Sequence, residues 1–169
     1  MNDARETAAP DWAMPKQIPG FAHLFTMRAR IGQSLDAGDG PLGRRTLNSP
    51  AEGEFYGSRL RGKLNPGAGD WMLTRNRIRL VDARVVLVTD DGAIIHMSYG
   101  GRITFPPHVE SALRDTSTRH LIDPAEYYFR TTPLFETGAE QFLWLNGIVS
   151  VGTGRMIEGG VAYDVFELQ

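Results

Sequence analysis

Residues 78–88 read IRLVDARVVLV, and this run decides the fold class. Successive side chains of a strand alternate between faces, so Leu80, Asp82, Arg84, Val86 and Val88 share one face while Val81, Ala83, Val85 and Leu87 share the other. Both faces are mostly apolar, which predicts a strand that is dry on both sides. An acid and a base two residues apart on one such face point to an enclosed polar site inside a β-barrel or sandwich. The competing reading is a buried structural salt bridge, because buried charges persist only when paired.

Working outward, Phe25, Met27, Ala29 and Ile31 alternate with Thr26, Arg28 and Arg30, which predicts a first strand over 24–31. Further strands are expected over 54–64, 71–75, 78–89, 93–99, 126–131, 141–151 and 161–168. Asn65-Pro66-Gly67 reads as a turn and Asp90-Asp91-Gly92 as a tight hairpin. The one helical pattern is 107–115, where proline comes early and Val109, Ala112 and Leu113 fall at helical spacing. Residues 1–20 hold three prolines without periodicity and are expected to form a flexible arm ahead of a single domain over 21–169. About eight short strands with one capping helix predict an all-β fold, a small antiparallel β-barrel able to enclose one small ligand.

The 169-residue chain is long enough for one domain with a real core. Eighteen Lys and Arg balance twenty Asp and Glu, so no electrostatic footprint for nucleic acid or an anionic membrane is visible. Cysteine is absent, which removes disulfides, thiolate nucleophiles and thiolate metal sites and fits a reducing compartment. The N-terminus lacks a signal-peptide core and no run reaches membrane-spanning length, so a soluble, cytoplasmic protein is the expectation.

No phosphate-cradling GxxxxGK[ST], HExxH or GxSxG signature is present. His23, His96, His108 and His120 lie far apart, so a metal cluster would need long-range convergence, and no metal is expected. His96 lies within a predicted strand beside Ile94 and Ser98; such a histidine is ordinarily a satisfied core residue, and only its position and pKa would make it a base. On 141–151, Phe142, Trp144, Asn146 and Ile148 are expected to share a face, placing the Asn146 amide among aromatics. Tyr128 and Arg130 share a face of their strand, with Glu136 in the turn that follows. Arg59, Asp70 and Trp71 add a cation, an acid and an indole near strand ends, where barrel mouths form.

Several segments together resemble the bacterial and fungal family known as domain of unknown function 3237. They are Gly40-Pro41-Leu42-Gly43-Arg44-Arg45, Gly57-Ser58-Arg59-Leu60-Arg61-Gly62, Gly67-Ala68-Gly69-Asp70-Trp71, Val81-Asp82-Ala83-Arg84, residues 89–95 (TDDGAII), residues 123–133 (DPAEYYFRTTP), Phe135-Glu136-Thr137-Gly138 and Trp144-Leu145-Asn146. The resemblance spans about residues 21–168 and implies a small antiparallel barrel. It also implies recurring polar positions at Arg59, Asp70, Trp71, Asp82, Arg84, Arg130, Glu136, Trp144 and Asn146. Two departures stand out: Asn76-Arg77 replaces the family's usual Asp-Gly hairpin, and residues 98–107 replace a more polar segment, which would suit a less polar substrate.

The expectation is therefore a cofactor-independent lyase, isomerase or cyclase acting on a hydrophobic, aromatic or terpenoid-like molecule held in the barrel. Asp82, with His96, would move a proton; Arg84, Arg59 and Arg130 would stabilise negative charge or anchor a carboxylate or carbonyl. Asp70, Trp71, Tyr128, Glu136, Trp144 and Asn146 complete the expected binding set. A non-catalytic small-molecule carrier is the alternative, and an accessory subunit with a filled barrel a third. The apolar outer face of 78–88 slightly favours a homo-oligomer.

Overall fold

A computed structural model describes residues 11–13 and 15–169. Nine strands form one antiparallel sheet: β1 (Phe21–Gly40), β2 (Gly43–Tyr56), β3 (Arg61–Leu64), β4 (Gly69–Arg75), β5 (Ile78–Thr89), β6 (Ile94–Thr104), β7 (Tyr128–Glu136), β8 (Ser150–Ile157) and β9 (Gly160–Leu168). The sheet closes, because β1 pairs with both β9 and β2. Strands β3 and β4 occupy a single place in the wall. Each pairs with β2 on one side and β5 on the other, with the turn after Leu64 between them. The wall therefore holds nine strands in eight positions, against about eight strands expected, and closure removes free edges.

Alternation builds the interior. On β5, Val81, Ala83, Val85 and Leu87 are buried. On β6 the buried set is Ile95, Met97, Tyr99 and Ile103, and on β7 it is Phe129, Thr131, Pro133 and Phe135. One end of the barrel is filled by aromatic rings: Phe25 meets Phe55 and Phe135 edge-on at 5.5 and 5.9 Å. That end is closed by a 3-10 segment, Glu140–Gly147, which buries Phe142 and Leu145.

This segment corrects the strand expected over 141–151. Phe142 and Leu145 are three residues apart, and at three residues per turn they share one side of a 3-10 helix. Alternation of large apolar residues over so short a span fits either geometry. The Asn146 amide holds the segment in place, accepting from the Thr137 N–H and donating to the Thr137 carbonyl, each at 2.9 Å.

At the other end lies α1 (Pro107–Ala112), shorter than expected because its bonds tighten to the 3-10 pattern, Arg114 to Ser111 and Asp115 to Ala112. Val109 of α1 is buried, and Phe105 and Tyr127, flanking this connection, stack at 5.2 Å. The expected arm lies partly outside the described residues, in 1–10 and 14; Gly20 exchanges two backbone hydrogen bonds with Gln169.

Candidate active site

Below α1 the barrel is hollow. A cavity of about 170 Å³ is lined by apolar side chains including Met27, Leu64, Met72, Ile103, Phe129 and Met156. Its polar lining comprises Asn48, Asp70, Tyr99, Tyr163, Arg79 and Arg119.

The sheet register explains why the acid and a phenol meet there. Residues directly opposite in an antiparallel ladder point to the same face. Asn48 of β2 faces Asp70 of β4, Asp70 faces Ala83 of β5, and Ala83 faces Tyr99 of β6, so one interior level carries an amide, a carboxyl and a phenol. Tyr163 enters from β9 on the far wall, its ring 5.7 Å from that of Tyr99 and 5.3 Å from that of Phe129. Gly154 on β8 makes that packing possible, since a Cβ there would stand 2.6 Å from the Phe129 ring.

Electrostatics follow from this enclosure. Burial pushes the Asp70 carboxyl up from its ordinary 3.8 to about 6; a hydrogen bond from the Asp82 backbone N–H at 3.0 Å opposes the rise, and the nearby Asp82 charge adds to it. Burial also raises Tyr99 and Tyr163, whose hydroxyls bond to each other, so both stay protonated at neutral pH. Arg79 is pulled downward by burial, with Glu110 acting against that. Its guanidinium lies 4.6 Å from the Phe105 ring centroid.

Of the residues singled out from the sequence, Asp70 lines this cavity. Asp82 and Arg84 do not: they form a 3.0 Å ion pair on the outside of the barrel, with side chains 57% and 59% exposed. The buried-pair premise fails because the outer face of β5 is not fully covered. Its Leu80, Val86 and Val88 are only partly buried, and an apolar β-branched residue fits a half-exposed sheet face. His96 is also on the outer face, opposite Val86 and Glu136 in the ladder. Arg130 and Tyr128 stack there at 5.1 Å, and Trp71 is 39% exposed. Arg59 lies 3.8 Å over Trp144 and pairs with Glu167, while Asn146 bonds to Thr137.

Sequence reasoning missed Arg79, Tyr99, Tyr163, Arg119 and Asn48. Arg79 falls in phase with Val81, Ala83 and Val85, but the run itself does not show which of its two apolar faces turns inward. Tyr99 and Tyr163 share alternation with Met97 and Val165. Arg119 opens a three-residue 3-10 turn, Arg119–Leu121, too short to carry a periodic signal. Among the described residues no group of three His, Cys, Asp or Glu converges as a metal site would require, and no helix is long and apolar enough to cross a membrane.

Residues 19–168 match the model of a family described as protein of unknown function DUF3237. The chain belongs to the DUF3237 family. It is 34% identical over 147 residues to a UPF0311 protein of Rhodopseudomonas palustris, covering 86% of this chain and 94% of that one. A Bradyrhizobium diazoefficiens UPF0311 protein matches at the same identity and coverage. Among solved structures, a Rhodopseudomonas palustris protein of unknown function superposes with a TM-score of 0.82 at 29% identity, covering 90% of this chain and 99% of the other. A β-barrel-like protein from Acinetobacter baumannii gives 0.76 at 26% identity, covering 92% and 100%. A chain described as an enzyme from Penicillium herquei gives 0.66 at 16% identity, covering 92% and 98%, a likeness of fold. The closed antiparallel barrel of this DUF3237 chain agrees with the barrel-like description of the Acinetobacter baumannii neighbour.

Proposed function

We propose that this barrel is a cofactor-independent acid–base enzyme for a small, largely apolar substrate, with Asp70 as the group that moves the proton. One observation carries the reading: a single carboxyl lies in an otherwise mostly apolar cavity, its pKa raised to about 6 and two protonated phenols close by. A base works best when its pKa lies near the operating pH, and a carboxyl at 6 is mostly ionised at pH 7 yet readily reprotonated. Ordinary aspartates near 3.8 are weaker bases by about two units.

The remaining groups suit proton abstraction next to a carbonyl. Asp70 takes the proton, and negative charge grows on the substrate oxygen. The Tyr99–Tyr163 pair supplies O–H donors that stay protonated throughout, and donors aimed at a developing oxyanion in a dry site contribute strongly. Asn48 beside Asp70 adds an orienting amide. Delivery of the proton to a different atom gives an isomerase; loss of a leaving group gives a lyase. The absence of nucleotide and metal-binding motifs supports a reaction without a cofactor. The role expected of Asp82 and His96 passes to Asp70, because both of those side chains stand on the outer face.

A probe that needs only a placed base tests this. 5-Nitrobenzisoxazole loses its ring C–H proton to a carboxylate as the N–O bond breaks, giving a coloured cyanophenolate. The protein should accelerate this reaction with a rate that rises through pH 6, and Asp70→Asn should lower it by about 10². Equal rates for the two proteins would refute the reading. Probe binding without turnover would favour the carrier alternative.

A further inference from the structure

The cavity has a second charged feature that the proton transfer does not use. Arg119 makes no ion pair among the described residues, and its Nε is buried with no hydrogen-bond partner. Arg79 also lines the cavity and is incompletely neutralised. Its one carboxylate neighbour, Glu110, stands 3.8 Å away and is shared with Arg77 at 3.2 Å. Two guanidiniums thus border an apolar hollow with one shared carboxylate on its outer side. An orphaned buried Nε–H on Arg119 and a weakly countered guanidinium on Arg79 both gain charge-assisted hydrogen bonds when an anion is bound, so this arrangement favours one.

Arg79 and the acid are also displaced from one another along the barrel. Arg79 lies four residues along β5 from Ala83, which faces Asp70, a separation of roughly 13 Å at the rise of a strand. Met72 lies between these levels on β4, and apolar Ile103 and Phe129 stand level with Arg79 in the ladder, so the lining from the arginine towards the acid is apolar. The volume, about 170 Å³, is close to the roughly 150 Å³ of a dry cavity known to hold benzene.

We propose that Arg79 and Arg119 form a carboxylate-binding end of the cavity, and that the substrate class is a small organic acid with one ring or an equivalent apolar body. The guanidiniums take the carboxylate through charge-assisted hydrogen bonds, for which the planar fork is suited. The ring fills the apolar middle, and the carbon to be deprotonated faces Asp70. This deepens the acid–base reading and rests on it for the reaction, but the recognition of the anion stands on the arginines alone. It also departs from the sequence expectation that Arg84, Arg59 and Arg130 would anchor the carboxylate.

Fluorine NMR with 4-fluorobenzoate and its uncharged analogue 4-fluorobenzamide tests the proposal. Benzoate should bind at least tenfold more tightly than the amide. Arg119→Met, which keeps the length and apolar stem, should remove most of that preference, and so should Arg79→Met. Arg114→Met, outside the cavity, should leave it intact. Equal binding of acid and amide by the unaltered protein, or no binding of benzoate at millimolar concentration, overturns the proposal, as does full benzoate preference in a folded Arg119→Met variant. Should either arginine variant fail to fold, the acid-against-amide comparison on the unaltered protein decides alone. Asp70→Asn should bind benzoate at least as well as the parent, so loss of proton-transfer activity in that variant bears on the base and not on the anion site.

Discussion

The backbone N–H of Asp82 donates to the carboxylate of Asp70 at 3.0 Å, from a strand whose Asp82 side chain points the opposite way. The β4–β5 ladder pairs Asp70 with Ala83 and Leu73 with Leu80 and has no pair between them. In that gap the Asp82 N–H is satisfied by a side chain rather than by a carbonyl of β4. One residue therefore serves both faces of the wall: its main chain holds the interior acid, and its side chain forms an exposed pair with Arg84. The same Asp82 charge helps keep the Asp70 pKa high.

Asp70 should make stability depend on pH in the sense opposite to an ordinary paired aspartate. Its carboxyl is at about 6 in the folded chain against 3.8 ordinarily, so between those values the folded chain holds a proton that the unfolded chain has released. The favourable contribution is complete below pH 3.8, declines as pH rises, and is gone above about 6. Asp70→Asn stays neutral throughout and should be more stable than the parent above pH 6, by on the order of 2–3 kcal/mol. The advantage should vanish toward pH 4. Urea midpoints from pH 4 to 7 check this, and parallel curves for the two proteins would count against a buried acid.

Asp82→Asn should be mild. The exposed pair with Arg84 is worth at most about 1 kcal/mol, and the backbone bond to Asp70 survives the substitution. Removing the outer charge should also lower the Asp70 pKa. A loss of 3 kcal/mol or more, as for a broken buried pair, would place Asp82 inside after all.

Tyr99→Phe and Tyr163→Phe each leave one hydroxyl without its partner in a dry interior, at a cost of about 1–3 kcal/mol. The double variant removes both hydroxyls and should cost distinctly less than the sum of the single variants. Thermal melts of the three proteins measure the coupling, and strict additivity would mean the hydroxyls do not interact.

Arg77 sits with φ at 65° and Asn76 at 50° in the β4–β5 hairpin. Asn tolerates this left-handed geometry and Arg does so poorly. Arg77→Gly should therefore stabilise the chain by about 0.5–1 kcal/mol, less whatever the exposed pair with Glu110 contributes. An unchanged or lower melting temperature would show that the ion pair outweighs the backbone strain.

What the sequence made legible was the wall. Alternation in residues 78–88 and in Phe25 to Ile31 identified strands, and short turns such as Asp90-Asp91-Gly92 identified antiparallel order, because both signals are local. Which face of a strand turns inward is not local. In 78–88 both faces are apolar, and nothing within the run says that Val81 and Ala83, rather than Asp82 and Arg84, meet the core. Asp70 was recognised from the family resemblance and from its turn. Its environment depends on Tyr99, Tyr163 and Asn48, which lie on three other strands. The 3-10 segment Glu140–Gly147 was hidden because Phe142 and Leu145 satisfy both a strand and a three-residue turn.

The most direct measurement is the titration of the Asp70 side-chain carboxyl by carbon-13 NMR, assigned by its absence in Asp70→Asn. An inflection near pH 6 is expected, moving lower in Asp82→Asn. An inflection near the ordinary 3.8 in the folded protein would mean that water reaches the carboxylate freely, and Asp70 would then have no special capacity as a base.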